Sequence, residues 1–525
     1  MDDKRTPGRR HHWMAALAVL LVLTGLQHGG AVPWGNENFY LIRLYRLGHP
    51  DFLANDWTLR QPAPEHWLFN HIAGPLSIPF DIETFGAMGR LAGWIGGLAV
   101  LLVVAREAGL TAPLAALALA LWLGSGQSIV ARSWMLKTFE AKTFAYAALF
   151  LSLRAVSRSA VEKAGLWAGL ATALHPSVGG WGAITLLPAL RRPPSARRAA
   201  AAAALFAVPA AVGILPLLLA PGGVTSAEEW RYMALVKMPE HLDPATWPVR
   251  RLVLLGVLFA VNVLVARSQL WERPLWRAAT VWQAAAASVF AAGCVARVAG
   301  FDRFLATFPF RLFPLLTPLF FFLGACAWAA EGGWRQAGMA LRAFLIAALA
   351  AVPSPLFGLA DAARPALTSW FRAPTDLERA LGWCRDRLPE DAVLVAPPWF
   401  RGNWSVSRRA IVASRVYHPY TSFREWRERC DLLLGPVGRG TGEEELAERY
   451  RRLTAGAVRE AARRYGATHV VIDAELPLRK LAAFGEWCVY EIGGEAVEPG
   501  GNSGSSAPES SSANRPRGST SKSRT

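Results

Sequence analysis

The sequence predicts an all-α polytopic membrane domain followed by a small α/β domain outside the membrane. Three observations lead there. Hydrophobic residues make up 53% of the 525, and runs such as "AALALALWLG", "AAAALFAVPAAVGILPLLLAP" and "LVLLGVLFAVNVLVA" carry almost no charge. The lysines and arginines between those runs gather on alternate connections. Beyond residue 374 the pattern changes to short apolar strands alternating with amphipathic helices.

A bilayer crossing takes roughly 20 apolar residues, and about eleven segments approach that length. They are 13–28, 85–104, 111–124, 140–153, 163–176, 178–190, 199–219, 251–266, 276–296, 312–330 and 339–358. The first has the basic head and apolar stretch of a signal peptide. No A-x-A site follows it, so it reads as a retained helix behind a cytoplasmic tail, 1–12.

Orientation follows from the basic residues of the short loops. Lys4, Arg5, Arg9, Arg10, Arg106, Arg154, Arg158, Lys163, Arg191, Arg192, Arg197, Arg198, Arg267, Arg273, Arg277 and Arg335 all fall on one side if every segment crosses once. That side is then the cytoplasm of a bacterial inner membrane. The other side receives the first outer loop 29–84, then 125–139, His175–Pro176, 220–250, 297–311 and everything after about 359. The net charge of +17 is accounted for by these loops and an Arg-rich C-terminal domain, so no nucleic-acid partner is implied.

The outward loops are longer than connectors need to be. The first contains "WGNENFYLIRLYRLGHPDFLANDW" and is expected to form short helices along the surface. Its Trp34, Trp57, Trp67 and Phe69 are expected at the lipid headgroups.

Residues 374–495 form the expected extracytoplasmic domain. "TDLERALGWCRDRLP" reads as a helix capped by Thr375 or Asp376. "AVLVAPP", "THVVID" and "WCVYEI" read as strands, and "EEELAERYRRLTAGAVREAARRYG" as one helix ending at Gly466. The 496–525 tail is almost devoid of apolar residues and is expected to be disordered. The five cysteines make no CxxC or zinc spacing, and a disulfide among Cys384, Cys430 and Cys488 is left open. The sequon at Asn403 reads as a chance match in a bacterial chain.

Candidate chemistry lies in the outward segments. Glu37 and Asp56 are carboxylates at a membrane surface, suited to take a proton from an acceptor hydroxyl or to hold a divalent metal beside a phosphate. His66 and His71 can carry protons or bind metal, although a spacing of five is not a helical i, i+4 pair. Glu140 and Lys142 stand at the mouth of an apolar helix, where charge is costly unless paired. "GLATALHPSVGGWG" places His175 at a helix break of the kind that lines cavities. Arg303 and Arg311 interrupt the inside-positive trend and suit phosphate. For each residue the plain alternative is an interfacial polar side chain or an internal ion pair. No Walker A or strand-to-helix GxGxxG pattern occurs, so no nucleotide is expected.

This arrangement resembles the GT-C superfamily of membrane glycosyltransferases, which use sugars carried on polyprenyl phosphate. "GNENFY" matches their acidic position after the first span through Glu37, in the style "DE..Y". "FEAKTFAYAALFLSL", "HPSVGGWG", "RLPEDAVLVAPPWF" and "YGATHVVID" are similar to a bacterial membrane-protein family of the same layout. The resemblance covers about 13–495 in layout. It implies a lipid-linked sugar donor as partner alongside membrane lipids, Glu37 as base or acceptor-orienting group, and Arg303 or Arg311 near the donor phosphate. The Asp-Asp or Asp-Glu pair of the group is Asn36–Glu37 here, which leaves a metal possible but not implied, and no other cofactor is expected. The alternatives are a transporter or flippase of a lipid-linked intermediate and a non-catalytic assembly protein. The internal repeats common in transporters are not visible. Sugar, acceptor and oligomeric state are not written in the sequence.

Overall fold

The computed structural model describes residues 7–190, 195–222, 226–336, 339–352, 368–369 and 371–493. The expected disordered tail, and part of the last expected span, lie outside the described residues. Each expected span holds a helix. These are α1 (Pro7–His28), α3 (Ile82–Glu107), α4 (Ala112–Gly124), α5 (Ala141–Ser157), α6 (Val161–Leu174), α7 (Pro176–Leu186), α8 (Ala196–Leu219), α9 (Val249–Val265), α10 (Pro274–Val298), α11 (Phe313–Ala330) and α12 (Met339–Ala351), with α2 (Glu37–Gly48) in the first loop. Among the described residues, four of them are long and apolar enough to cross a membrane by length and composition: α3, α8, α10 and α11. The others are shorter or more polar, α6 having 14 residues and α7 having 11. The chain is a multi-pass membrane protein.

Apolar small residues let the helices meet closely. α6 packs against α5, α7 and α8. A Cβ at Gly179 would stand 2.1 Å from the Thr172 backbone nitrogen, so the α6–α7 hairpin closes only on glycine. One end of the bundle is tied by surface ion pairs, Arg158 Nε to Glu107 Oε1 at 2.8 Å and Arg198 Nε to Glu162 Oε1 at 2.6 Å.

The C-terminal residues form a mixed five-stranded sheet in the order β2-β1-β3-β5-β4. Its strands are β1 (Val393–Val395), β2 (Ala410–Ile411), β3 (His469–Ile472), β4 (Arg479–Phe484) and β5 (Trp487–Glu491). β1 runs parallel to β2 and β3, while β5 is antiparallel to β3 and β4. Helix α13 (Asp376–Arg387) turns Leu377, Ala380, Leu381 and Cys384 inward on an i, i+3, i+4, i+7 stripe, and Thr375 caps it in a capping box with Glu378. Three further helices, α14 (Phe423–Leu434), α15 (Glu443–Arg451) and α16 (Ala455–Tyr465), pack around a second core that contains Val395, Val470 and Tyr490. The single helix expected over 443–466 is broken because Thr454 caps a new one, accepting from Ala457 N at 3.2 Å. Cys384, Cys430 and Cys488 are buried free thiols. Asn403 is 1% exposed and donates to Pro397 O, so the sequon is closed by the fold.

Part of the first loop, Phe69 and Trp57 included, packs on the C-terminal domain instead of facing outward. Phe39, Leu41, Ile42, Leu44 and Phe69 share one core with Leu381, Leu394, Val471 and Val489 of the C-terminal domain. Trp57 packs beneath Arg429, whose guanidinium is 4.2 Å from its ring. Buried carboxylates fasten this assembly. Glu37 accepts from Arg90 Nε of α3 at 2.9 Å, from Arg90 Nη2, from Phe139 N at 2.8 Å and from Trp34 N at 3.0 Å. Asp56 accepts from Leu59 N at 2.9 Å, Trp404 Nε1 at 2.6 Å and Ile411 N at 3.0 Å. Asp243 accepts from Arg297 at the end of α10 at 2.8 Å and from Arg439 of the C-terminal domain at 2.6 Å. All three are 0% exposed.

Removing one partner of a buried ion pair strands the other, at a cost of about 3–5 kcal/mol. Arg90→Met and Glu37→Gln are therefore expected to lower the thermal midpoint and the yield of folded protein in detergent. Unchanged melting in both would show that the pair is dispensable.

Candidate active site

The connection from α4 to α5 builds the site. Gln127, Ala131 and Arg132 have positive φ (66°, 61° and 44°), a conformation that L-residues adopt at a cost of roughly 1–2 kcal/mol each. Side-chain bonds hold it. Gln127 Oε1 accepts from Met135 N and Leu136 N, both at 2.9 Å, and its Nε2 donates to Leu136 O at 2.7 Å. Trp122 Nε1 fixes Gln127 O at 3.0 Å, and Thr143 Oγ1 donates to Met135 O at 2.6 Å. The loop therefore delivers Glu140 and Lys142 in set positions.

They open into a cavity of about 1610 Å³ where the membrane helices, the first loop and the C-terminal domain meet. Lys142 Nζ lies 2.8 Å from Glu140 Oε2 and 3.8 Å from the centre of the Trp134 ring, and Thr138 Oγ1 donates to Glu140 Oε1. Beside this pair, Arg311 Nη1 donates to His175 Nε2 at 3.1 Å. On its other ring nitrogen, Nδ1, His175 caps the next helix by accepting from Val178 N at 3.4 Å, with Ser177 Oγ at 3.3 Å. The His66 ring stacks obliquely 4.5 Å from His175. Burial, reinforced by Arg311, pushes His66 down to about 3, so it is neutral near pH 7.

Five expected residues line the cavity together: His66, Glu140, Lys142, His175 and Arg311. The remaining four do not. Glu37 has its carboxylate consumed by Arg90 and two backbone N–H groups, and Asp56 by an indole and two backbone N–H groups. Neither lines the cavity. His71 is exposed, stacked 4.1 Å from Trp67 with its Nδ1 on Trp67 O. Arg303 is exposed on the short helix Asp302–Leu305 and lies off the cavity.

Two lining residues, Glu65 and Lys237, escaped the sequence reading. Glu65 Oε1 accepts from Tyr417 at 2.5 Å, across the boundary between first loop and C-terminal domain. Arg401, Arg415, Tyr417 and His418 also line the cavity, and they belong to "APPWFRGNWSVSRRAIV" and "SRVYHPYTSFREW", aromatic and basic stretches whose composition suits either a carbohydrate- or acceptor-facing surface or loops packing on the membrane.

Among the described residues no three His, Cys, Asp or Glu side chains converge as a metal site. The Glu140 carboxylate is engaged by a lysine, and cations rather than acids surround it. The donor set does not fit a divalent ion, and no step is routed through one.

No family model and no curated protein matches the sequence. Solved structures do match. The apo crystal structure of the Archaeoglobus fulgidus oligosaccharyltransferase aligns with a TM-score of 0.52 at 13% identity, covering 89% of this chain and 70% of that one. The Archaeoglobus fulgidus oligosaccharyltransferase AglB in complex with an inhibitory peptide and a dolichol-phosphate gives 0.47 at 13% identity, with 89% and 70% covered. The mycobacterial arabinofuranosyltransferase AftD gives 0.47 at 15% identity, covering 93% of this chain and 42% of that one.

Burial raises the Asp56 carboxyl above its ordinary 3.8, against the lowering effect of its three N–H donors and Arg46. The folded state thus holds the Asp56 proton more tightly than the unfolded chain does. Its contribution to stability is greatest below pH 3.8 and declines as pH rises to the raised folded value. The stability advantage over Asp56→Asn is expected to shrink as pH rises across this window. A difference in melting midpoint that is flat with pH would contradict it.

Over 89% of its length, the chain is thus similar in fold to that archaeal membrane oligosaccharyltransferase.

Proposed function

We propose that the chain is a glycosyltransferase that moves a sugar from a polyprenyl-phosphate-linked donor to an acceptor hydroxyl at the extracytoplasmic face of the membrane. The observation that carries this reading is the Glu140–Lys142 ion pair beside Arg311, in a cavity that also reaches the membrane helices at Leu217 and Leu254. A lipid-linked phosphate has its tail in the bilayer and its charge at this depth.

In the reaction the acceptor oxygen attacks the anomeric carbon, and the bond from that carbon to the phosphate oxygen breaks. Glu140 takes the hydroxyl proton. Neutralising Glu140 dissolves its pair with Lys142, so the ammonium becomes available to the departing polyprenyl phosphate as its charge grows. Arg311, fixed by His175, supplies a second donor to the same group. Neutral His66, with His175 beside it, adds polar contacts without a further charge.

Glu140→Gln is expected to lower transfer of radiolabelled sugar from a polyprenyl-phosphate donor by about 10²–10⁴-fold in purified membranes, per mole of folded protein. Lys142→Met is expected to weaken both donor binding and turnover. Full turnover in Glu140→Gln sinks the assignment, and donor binding without any bond formation favours the transporter. The orientation has its own check: a periplasm-dependent phosphatase fused after Gly493 is expected to be active, and an inactive fusion would invert the topology.

A further inference from the structure

The cavity carries a second group of cations, contributed from outside the membrane helices. Lys237, from the connection between α8 and α9, lines it together with Arg401 and Arg415 of the C-terminal domain. The cations elsewhere on the lining include Lys142 and Arg372, which are matched to Glu140 and Glu378. Among the described residues no carboxylate comes within ion-pair distance of Lys237, Arg401 or Arg415. Lys237 Nζ donates to Arg415 O, and Arg415 Nη1 lies 3.4 Å from Tyr232 Oη, which leaves most of their donors unused.

Burial, then the nearby Arg415, lower Lys237 to about 8, against opposing effects of Cys430 and Glu240, with a smaller lowering from Arg401. A desolvated ammonium facing two guanidinium groups without a counter-ion is an unfavourable arrangement, and an arriving oxyanion relieves it. The same wall presents Trp399 and Tyr420, aromatic faces on which the apolar side of a sugar ring can pack.

We propose that this wall, formed by Lys237, Arg401 and Arg415 with Trp399 and Tyr420, is the acceptor subsite, and that the acceptor is an acidic saccharide whose phosphate or carboxylate these cations bind. The inference rests on the transferase reading for the word acceptor. The binding of an acidic sugar at this wall stands or falls separately.

The test uses the full chain purified in detergent and titrated by calorimetry at fixed ionic strength with glucose 6-phosphate, glucuronate and glucose. One or both acidic sugars are expected to bind at least about tenfold more tightly than glucose, by charge-assisted bonds. Binding of the phosphate alone assigns a phosphorylated acceptor, and of glucuronate alone a uronic acid. Lys237→Met and Arg401→Gln are each expected to weaken the acid about tenfold and leave glucose unchanged. Arg401 is exposed, so its variant folds whatever becomes of the Lys237 variant. Arg303→Gln, off the cavity, is expected to leave acid binding intact. Equal binding of glucose, acid binding untouched in both wall variants, or its loss in Arg303→Gln would overturn the proposal. A failed transfer assay with Glu140→Gln would leave this result standing, and the reverse also holds.

Discussion

A carboxylate cut off from water must find its donors in the protein, and Glu37 finds them in three separate segments. Arg90 comes from α3, Phe139 from the connection that carries the site, and Trp34 from the turn after α1. That single group therefore sets where the first loop leaves the bundle and where the segment holding Glu140 begins. The cationic floor of the cavity depends on it without Glu37 touching the cavity at all. Asp56 performs the same service between the first loop and the β2 region, and Asp243 between α10 and the C-terminal domain.

The helices were legible because apolar runs of this length have few other uses. The domain after residue 374 was legible where strands were fully apolar, as in β1 and β3. β2 is two residues long, and β4 begins "RKL" on a sheet edge, so neither carried a readable pattern. The break before α16 turned on one threonine cap, Thr454, inside a sequence that is helical in composition on both sides.

The site was legible in part, and the reason is physical. Glu140, Lys142, His175, His66 and Arg311 could be singled out because charge or a helix break at the edge of an apolar segment demands an explanation. Glu37 and Asp56 demand one too, and the sequence does not say whether the answer is a substrate or a buried donor. Partners such as Trp404 and Arg90 lie 348 and 53 residues away from the acids they satisfy. Distances of that kind are created by the fold. The lining arginines of 401–415 had the converse difficulty, looking like any basic loop until the fold turned them inward.

Asp243 bears on how the molecule moves. Its buried carboxylate is shared between a membrane helix and the C-terminal domain through two guanidinium groups. Lifting the domain from the bundle would part Asp243 from Arg439, and Asp56 would lose its indole at the same time. The roof of the cavity is thus riveted rather than hinged. An opening between other segments leaves both joints intact, whereas raising the domain breaks them together.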